Sequence, residues 1–241
     1  MRRFYVEVNK INNNQVIIDG QEFLHLRNVL RMAVGDEAIV VCGDEWDYYV
    51  KIVSVGKHEA VAEIVNRELN SCNPKANVAV YQALCKKDTL ASLTTHLNEL
   101  GVSKFVLFES KHTVAKDKNT KAEKLQSIAN QSVKQCRRSI PMQVSGTLDF
   151  KQLLQNISKH KLVVLAYENQ KDVRLNDVLS FDNALQDVAI IVGPEGGFAQ
   201  NEVQALVEAG AKCVSLGSRI LKVETATIAL SALVLSAVGE V

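Results

Sequence analysis

Over residues 4–67 apolar and polar positions alternate in short stretches. Segments 16–20, 37–43, 46–53 and 60–65 are rich in Val, Ile, Tyr and Ala and are separated by glycine, asparagine and aspartate. β-rich runs at this spacing predict short strands of a small β-barrel. One helical stretch, 22–29, interrupts them. The segment Ser71-Cys72-Asn73-Pro74-Lys75-Ala76-Asn77 carries one of only three prolines and breaks the pattern. It marks a linker, 71–77, between a domain at 1–70 and a domain at 78–241.

Beyond the linker the period changes. Apolar strand-length runs at 78–83, 104–108, 162–167, 188–192 and 213–216 alternate with helical patterns at 90–100, 123–136, 148–158, 202–208 and 224–238. This alternation predicts right-handed βαβ units on a parallel sheet, an α/β domain. Gly101 and Gly210 stand where two of the helices should stop. The last helix is apolar or small nearly all round, so most of its faces must be covered, by its own domain or by a second subunit.

Two of the strand ends carry glycine loops: Ile190-Ile191-Val192-Gly193-Pro194-Glu195-Gly196-Gly197-Phe198 and Leu216-Gly217-Ser218-Arg219-Ile220-Leu221-Lys222-Val223-Glu224-Thr225-Ala226. Loops at such strand ends are where open α/β sheets bind ligands. No G-x-G-x-x-G with a downstream acid and no Walker lysine is present, which argues against a phosphate cradle. Bare backbone at Gly193, Gly196, Gly197 and Gly217 can approach a flat heterocycle and a ribose, as suits a nucleoside without phosphates. The simpler reading, tight turns alone, fits one glycine pair better than two loops about twenty residues apart.

These two loops resemble the signature segments of the RsmE family, SPOUT-superfamily enzymes that methylate uracil at N3 in small-subunit ribosomal RNA. The resemblance extends to His25-Leu26-Arg27-Asn28-Val29-Leu30-Arg31-Met32 with Val34-Gly35-Asp36, and to Asn98-Glu99-Leu100-Gly101-Val102 and Gln135-Cys136-Arg137-Arg138. It implies a SPOUT-type α/β-knot domain with a C-terminal trefoil knot behind a PUA-like RNA-binding β-barrel. It also implies S-adenosyl-L-methionine as cofactor, 16S rRNA or the assembled small subunit as partner, and a homodimer. The sequence departs from the family at Ser218, where proline is usual, at Lys222-Val223, and at His96-Leu97. Serine leaves φ free where proline fixes it, which loosens the loop.

The resemblance assigns the cofactor to Leu165, Ala166, Gly193, Glu195, Gly196, Leu216, Gly217, Ser218, Ile220, Leu221 and Thr225. Catalysis falls to Arg219 and Glu224, and RNA binding to Arg2, Arg3, Arg27, Arg31, Arg137 and Arg138. Methyl transfer to nitrogen is an in-line displacement governed by positioning. Uracil N3 becomes nucleophilic only as its proton leaves, so a cation beside the base and a proton acceptor are needed. Arg219 and Glu224 flank the second loop and suit those tasks. Their simpler roles are an ion pair and a carboxylate at a helix N-terminus. Two other readings stay open: a tRNA ribose 2′-O-methyltransferase, and a non-catalytic RNA-binding ribosome assembly factor.

Composition bounds these readings. The chain has 241 residues, 47% of them hydrophobic, and a net charge of +1. The charge is uneven: Lys plus Arg against Asp plus Glu runs 8 to 11 over residues 1–70, 15 to 6 over 71–161 and 5 to 10 over 162–241. The basic middle third holds Lys86, Lys87, Lys111, Lys116, Lys118, Lys121, Lys124, Lys134, Arg137 and Arg138, a field that attracts phosphates. The adjacent guanidinium forks of Arg137 and Arg138 suit phosphate oxygens best. Cys42, Cys72, Cys85, Cys136 and Cys213 form no C-x-x-C, and His25, His58, His96, His112 and His160 form no H-E-x-x-H, so neither a disulfide framework nor a metal is expected. No apolar run reaches a membrane span and the N-terminus lacks a signal-peptide core, so a cytoplasmic location is expected.

Overall fold

The computed structural model describes residues 1–113, 122–179 and 186–241. They pack as two compact units, residues 1–73 with 130–141, and residues 74–129 with 142–241.

The first unit is a curled six-stranded sheet. Its strands are β1 (Arg2–Tyr5), β2 (Ile11–Asn12), β3 (Gln15–Asp19), β4 (Glu37–Val41), β5 (Trp46–Val55) and β6 (Glu59–Leu69), in the order β1-β4-β5-β6-β3-β2. Neighbours are antiparallel except β1, which lies parallel to β4 with Arg2 opposite Ala38. The sheet is a half-barrel. Phe4, Ile18, Leu26, Val40, Val50 and Ile52 fill its concave side, all but out of reach of solvent. The helical stretch is α1 (Gly20–Leu24) continuing as a π-turn over His25–Leu30, which ends at Arg31 in the left-handed region, φ 54°. β1 carries no alternation signal because two of its four residues are arginines.

Residues 130–141 pack with this sheet rather than with the helical layers, for reasons visible in its hydrogen bonds. Gln131 Nε2 and Lys134 Nζ donate to Glu22 at 3.0 and 2.7 Å. Asn73 Oδ1 accepts the backbone N–H groups of Ser139 and Ile140, both at 3.0 Å.

The second unit is built on a six-stranded all-parallel sheet. Strands β7 (Asn77–Ala83), β8 (Lys104–Phe108), β9 (Gln143–Leu148), β10 (Leu162–Ala166), β11 (Asp187–Val192) and β12 (Ala211–Val214) run in the order β12-β10-β11-β7-β8-β9. Alternate residues feed two cores. Val78, Val80, Phe105, Leu107, Val188 and Ile190 face helices α2 (Lys87–Leu100), α3 (Ala122–Cys136) and α7 (Val223–Ala237). Ala79, Tyr81, Val106, Phe108, Ala189 and Ile191 face α4 (Phe150–Ile157) and α6 (Gln200–Glu208), while a short helix, α5 (Leu175–Val178), packs against the first core.

Helix boundaries follow local chemistry. In α2, Leu90, Leu93, Thr94, Leu97 and Asn98 form the buried stripe, and Gly101 ends the helix at φ 107°, a conformation that glycine adopts without strain. Asp149 caps α4 by accepting the Gln152 N–H, and Gln152 accepts the Asp149 N–H in return. β9 was not expected from the sequence: it is an edge strand with one buried residue, Val144, and reads as polar. β12 lies two residues before the expected 213–216, because Ser215 leaves the ladder for an isolated bridge with Arg174. Thr227, Leu230, Ser231, Val234 and Leu235 of α7 are buried, but Leu233 is 50% exposed. The apolar helix is buried or half-buried at every position except Thr225, Leu233 and Ser236.

Candidate functional site

The sheet order reverses where β11 enters between β10 and β7, and the carboxyl ends of β7, β10, β11 and β12 open into a cavity of about 850 Å³ within the second unit. That is the place and the size expected of a small-molecule site on an open α/β sheet.

After β11 the chain turns at Gly193. A β-carbon here would lie 2.8 Å from Cε2 of Phe198, whose ring stacks on Phe108 with centroids 6.1 Å apart and planes 4° apart. The turn closes with the Gly197 N–H donating to the Pro194 carbonyl at 2.9 Å, and Gly197 sits at φ 68° with a Glu168 carboxylate oxygen 2.6 Å from the place of a β-carbon. Gly193 is therefore required by close packing against the Phe198 ring, and Gly197 by its left-handed backbone. Glu202, 6% exposed, anchors the far end of the loop: it accepts the N–H of Ala199 at 2.9 Å and of Lys111 at 2.8 Å.

After β12, the Ser215 N–H donates to the Val173 carbonyl, and the Gly217 N–H donates to the Ser215 hydroxyl at 3.3 Å, with φ 108° at Gly217. From there Ser218, Arg219 and Ile220 project outward, Ile220 with 90% of its surface open. Glu224, in the first turn of α7, accepts the Thr89 hydroxyl at 2.8 Å, which joins the starts of α2 and α7 at the cavity wall. Beneath the floor lies Gln82, without solvent contact. Its Oε1 accepts the Thr227 hydroxyl at 2.7 Å, and its Nε2 faces the carbonyls of Ala83, Val192 and Gly193 at 3.1, 3.5 and 3.4 Å. Burial, reinforced by the carboxylates of Glu195 and Glu224, pushes the nearby Cys85 thiol up to about 12. Cys85 is thus a neutral side chain, not a nucleophile.

The structure brings together Ala166, Gly193, Glu195, Gly196, Leu216, Gly217, Ser218, Ile220 and Leu221 of the expected cofactor residues, with Arg219 and Glu224, around this one cavity. Leu165 does not line it: the residue lies inside β10, paired with Ile191 and Cys213 on either side, and its side chain belongs to the core. Thr225 does not line it either, because it projects from α7 toward solvent. Sequence reasoning missed Lys86, Thr89, Tyr167, Glu168, Ser215 and Phe198, which also line the cavity. Tyr167 and Glu168 directly follow β10, so the strand-end rule applied to that strand would have found them.

The arginines expected to meet RNA all fall in the first unit. Arg2, Arg27, Arg31 and Arg137 are exposed, and Arg27 donates to the Lys57 carbonyl at 3.2 Å while lying over the Phe23 ring. Arg3 is committed to Asp47 by two hydrogen bonds, of 2.9 and 2.7 Å. The expected pairing of Arg137 with Arg138 is not what the structure shows. Arg137 takes φ 69°, which turns its neighbour inward, and Arg138 is 2% exposed and donates to the Ile140 carbonyl at 3.0 Å. Lys134 is paired with Glu22. Lys116, Lys118 and Lys121 lie outside the described residues.

A parallel α/β unit with helices on both faces and a bare-backbone cavity at its strand ends, in one chain with a curled β-sheet unit, belongs to the RNA methyltransferase class. Residues 71–235 match the RNA methyltransferase domain family and residues 18–65 the RNA methyltransferase PUA domain. The chain is 31% identical to the ribosomal RNA small subunit methyltransferase E of Bacillus subtilis over 97% of this chain and 96% of that one. It is 30% identical to the Aquifex aeolicus enzyme of the same name, over 98% and 100%. The structure of a Neisseria gonorrhoeae ribosomal RNA small subunit methyltransferase E bound to S-adenosyl methionine is 25% identical and superposes with a TM-score of 0.87 over 98% of this chain and 97% of that chain. The chain belongs to the ribosomal RNA small subunit methyltransferase E family.

Proposed function

We propose that the protein methylates a uridine at base N3 in 16S ribosomal RNA, with S-adenosyl-L-methionine as donor. The observation that carries the reading is the cavity at the ends of β10, β11 and β12, with an apolar wall at Leu216 and Leu221, bare backbone at Gly193, Gly196 and Gly217, and Arg219 at its rim. Those residues fit the donor: its adenine needs flat apolar walls and main-chain polar groups, and the carboxylates of Glu168, Glu195 and Glu224 balance its positive charge. When bound, the cofactor supplies an electrophilic methyl group on a sulfonium.

The protein's own residues do the rest. Main-chain groups of the two loops orient the donor, which makes the attack effectively unimolecular. Arg219, exposed at the rim of the cavity, reaches the base and stabilises the negative charge that develops as the N3 proton departs. Glu224, oriented by the Thr89 hydroxyl, is the candidate acceptor of that proton. A paired or stacked uridine must be swung out to reach the cavity.

In this reading residues 1–70 form the PUA-like RNA-binding domain, 71–77 the linker, and 78–241 the methyltransferase domain with its C-terminal trefoil knot. Leu233, a large apolar side chain left half exposed on α7, supports a homodimer. No helix among the described residues is long and apolar enough to cross a membrane, which agrees with a cytoplasmic enzyme acting on rRNA or on the assembled small subunit. The test is nucleoside mass spectrometry of small-subunit rRNA lacking the modification, after incubation with protein and donor. The expected product is 3-methyluridine; a ribose-methylated nucleoside, or none, would overturn the assignment.

A further inference from the structure

A second cleft, of about 280 Å³, lies wholly within the first unit, between the N-terminal strand and the end of α3. Arg2, Arg3, His25, Lys134 and Arg137 line it, and no carboxylate does. Two of these cations are already balanced from behind, Arg3 by Asp47 and Lys134 by Glu22. Arg2, His25 and Arg137 are exposed. The Arg3 side chain is 9% exposed, yet its Nε is buried without a hydrogen-bond partner. Two exposed guanidinium groups and an imidazole around one cleft without a carboxylate describe a site suited to an anion.

The backbone points the same way. Arg137 is one of four described non-glycine residues with positive φ, at 69°, where glycine or asparagine is the usual occupant after a helix. Its conformation is over-determined: its N–H donates to the Val133 carbonyl at 3.0 Å, and its carbonyl accepts Arg3 at 3.2 Å and Asn70 at 2.8 Å. That conformation holds a long cationic side chain at the wall of the cleft. The helix C-terminus alone would be served as well by Lys134.

We propose that this cleft is a phosphodiester subsite for the RNA strand, in which Arg2, Arg137 and His25 hold one backbone phosphate and so set the register of the strand on the β-sheet unit. The proposal rests on the RNA methyltransferase reading and extends it to a place distant in sequence from the signature loops. Phosphate contacts of this kind position a nucleic acid without reading its sequence.

The experiment measures binding of a short fluorescein-labelled oligouridylate to the full-length protein by anisotropy, as a function of salt. The variant is Arg2→Ala with Arg137→Gly; glycine suits the left-handed backbone, so the side chain is removed while the turn stays. Losing the contact that neutralises one phosphate should lower the slope of log K against log salt by about 0.7 for single-stranded RNA, and weaken binding at least tenfold. Calorimetry with S-adenosylmethionine on the same samples reports the integrity of the other site. An unchanged slope and affinity in a variant that still binds the donor overturns the cleft and leaves the methyltransferase reading standing. A parent protein that binds neither donor nor RNA overturns both. Inorganic phosphate that binds the parent but not the variant at constant ionic strength, with RNA affinity equal in both, assigns the cleft to a free anion and also overturns the proposal.

Discussion

Thr227→Val tests whether the floor of the cavity is held by one buried hydrogen bond. The Thr227 hydroxyl lies 2.7 Å from Gln82 Oε1 and 2.8 Å from the Val223 carbonyl, and neither Thr227 nor Gln82 has any exposed surface. Valine keeps the shape and a similar helix propensity. It leaves Gln82 Oε1 without its donor in a site that water does not reach. An orphaned buried acceptor costs about 1–3 kcal/mol, and in a chain of this size each kcal/mol lowers Tm by roughly 2–4 °C, so a fall of about 5 °C is expected by calorimetric melting. Because Gln82 also faces the Val192 and Gly193 carbonyls at the root of the first loop, donor affinity should fall with stability. Adding Gln82→Met removes the orphan, and the double variant should be more stable than the two single effects summed, by about 1 kcal/mol of coupling. A Thr227→Val protein that melts within 1 °C of the parent, a difference of less than about 0.5 kcal/mol, would refute the account.

Gly193→Ala should weaken S-adenosylmethionine binding at least tenfold, about 1.4 kcal/mol, because the new methyl would lie 2.8 Å from the Phe198 ring; calorimetry should show recovery when Phe198→Leu is added, and no recovery would place the defect elsewhere. Arg219→Ala should leave donor affinity nearly intact while slowing methylation of small-subunit rRNA at least tenfold, about 1.4 kcal/mol in barrier; unchanged turnover removes Arg219 from the mechanism. At the amino ends of β7 and β11, burial alone would raise the Asp187 carboxyl, but hydrogen bonds from His160, the Lys161 N–H and Asn77 outweigh it and hold it below the ordinary 3.8. A depressed carboxyl stabilises the fold above its unfolded value and loses that contribution as pH falls through its folded value. The Tm difference between parent and Asp187→Asn should therefore be largest near neutrality and vanish in acid; a difference independent of pH contradicts the linkage. Leu233→Glu places a charge at the exposed apolar position of α7 and should convert a dimer to monomers in sedimentation, and a parent already monomeric would sink the dimer.

The strands and helices of the second unit were legible because their apolar periods are long and their stops are glycines: Gly101 ends α2 where expected, and β8 runs over the expected 104–108. Polar edge strands were not. β9 shows one buried residue and β1 two arginines in four, and neither is marked until a neighbour supplies the ladder. Of the site, the two signature loops were readable, but Lys86 and Thr89 come from the end of another strand and the start of another helix, some hundred residues earlier. Arg137 and Arg138 looked equivalent side by side. One positive φ sent the first outward and the second into the protein.

The order of residues by itself determined which segments bury apolar surface, where helices stop, and that two glycine loops end adjacent strands, since these depend on period, chirality and the absence of a β-carbon. Tertiary structure alone decided that four strand ends converge on one cavity, that the tail of α3 packs with the β-sheet unit, and which arginines stay free. Those outcomes depend on hydrogen bonds between groups far apart in the chain, such as Lys134 to Glu22, Arg3 to Asp47 and Gln82 to Thr227. No local pattern encodes such a bond, because its strength comes from burial that only the assembled fold creates.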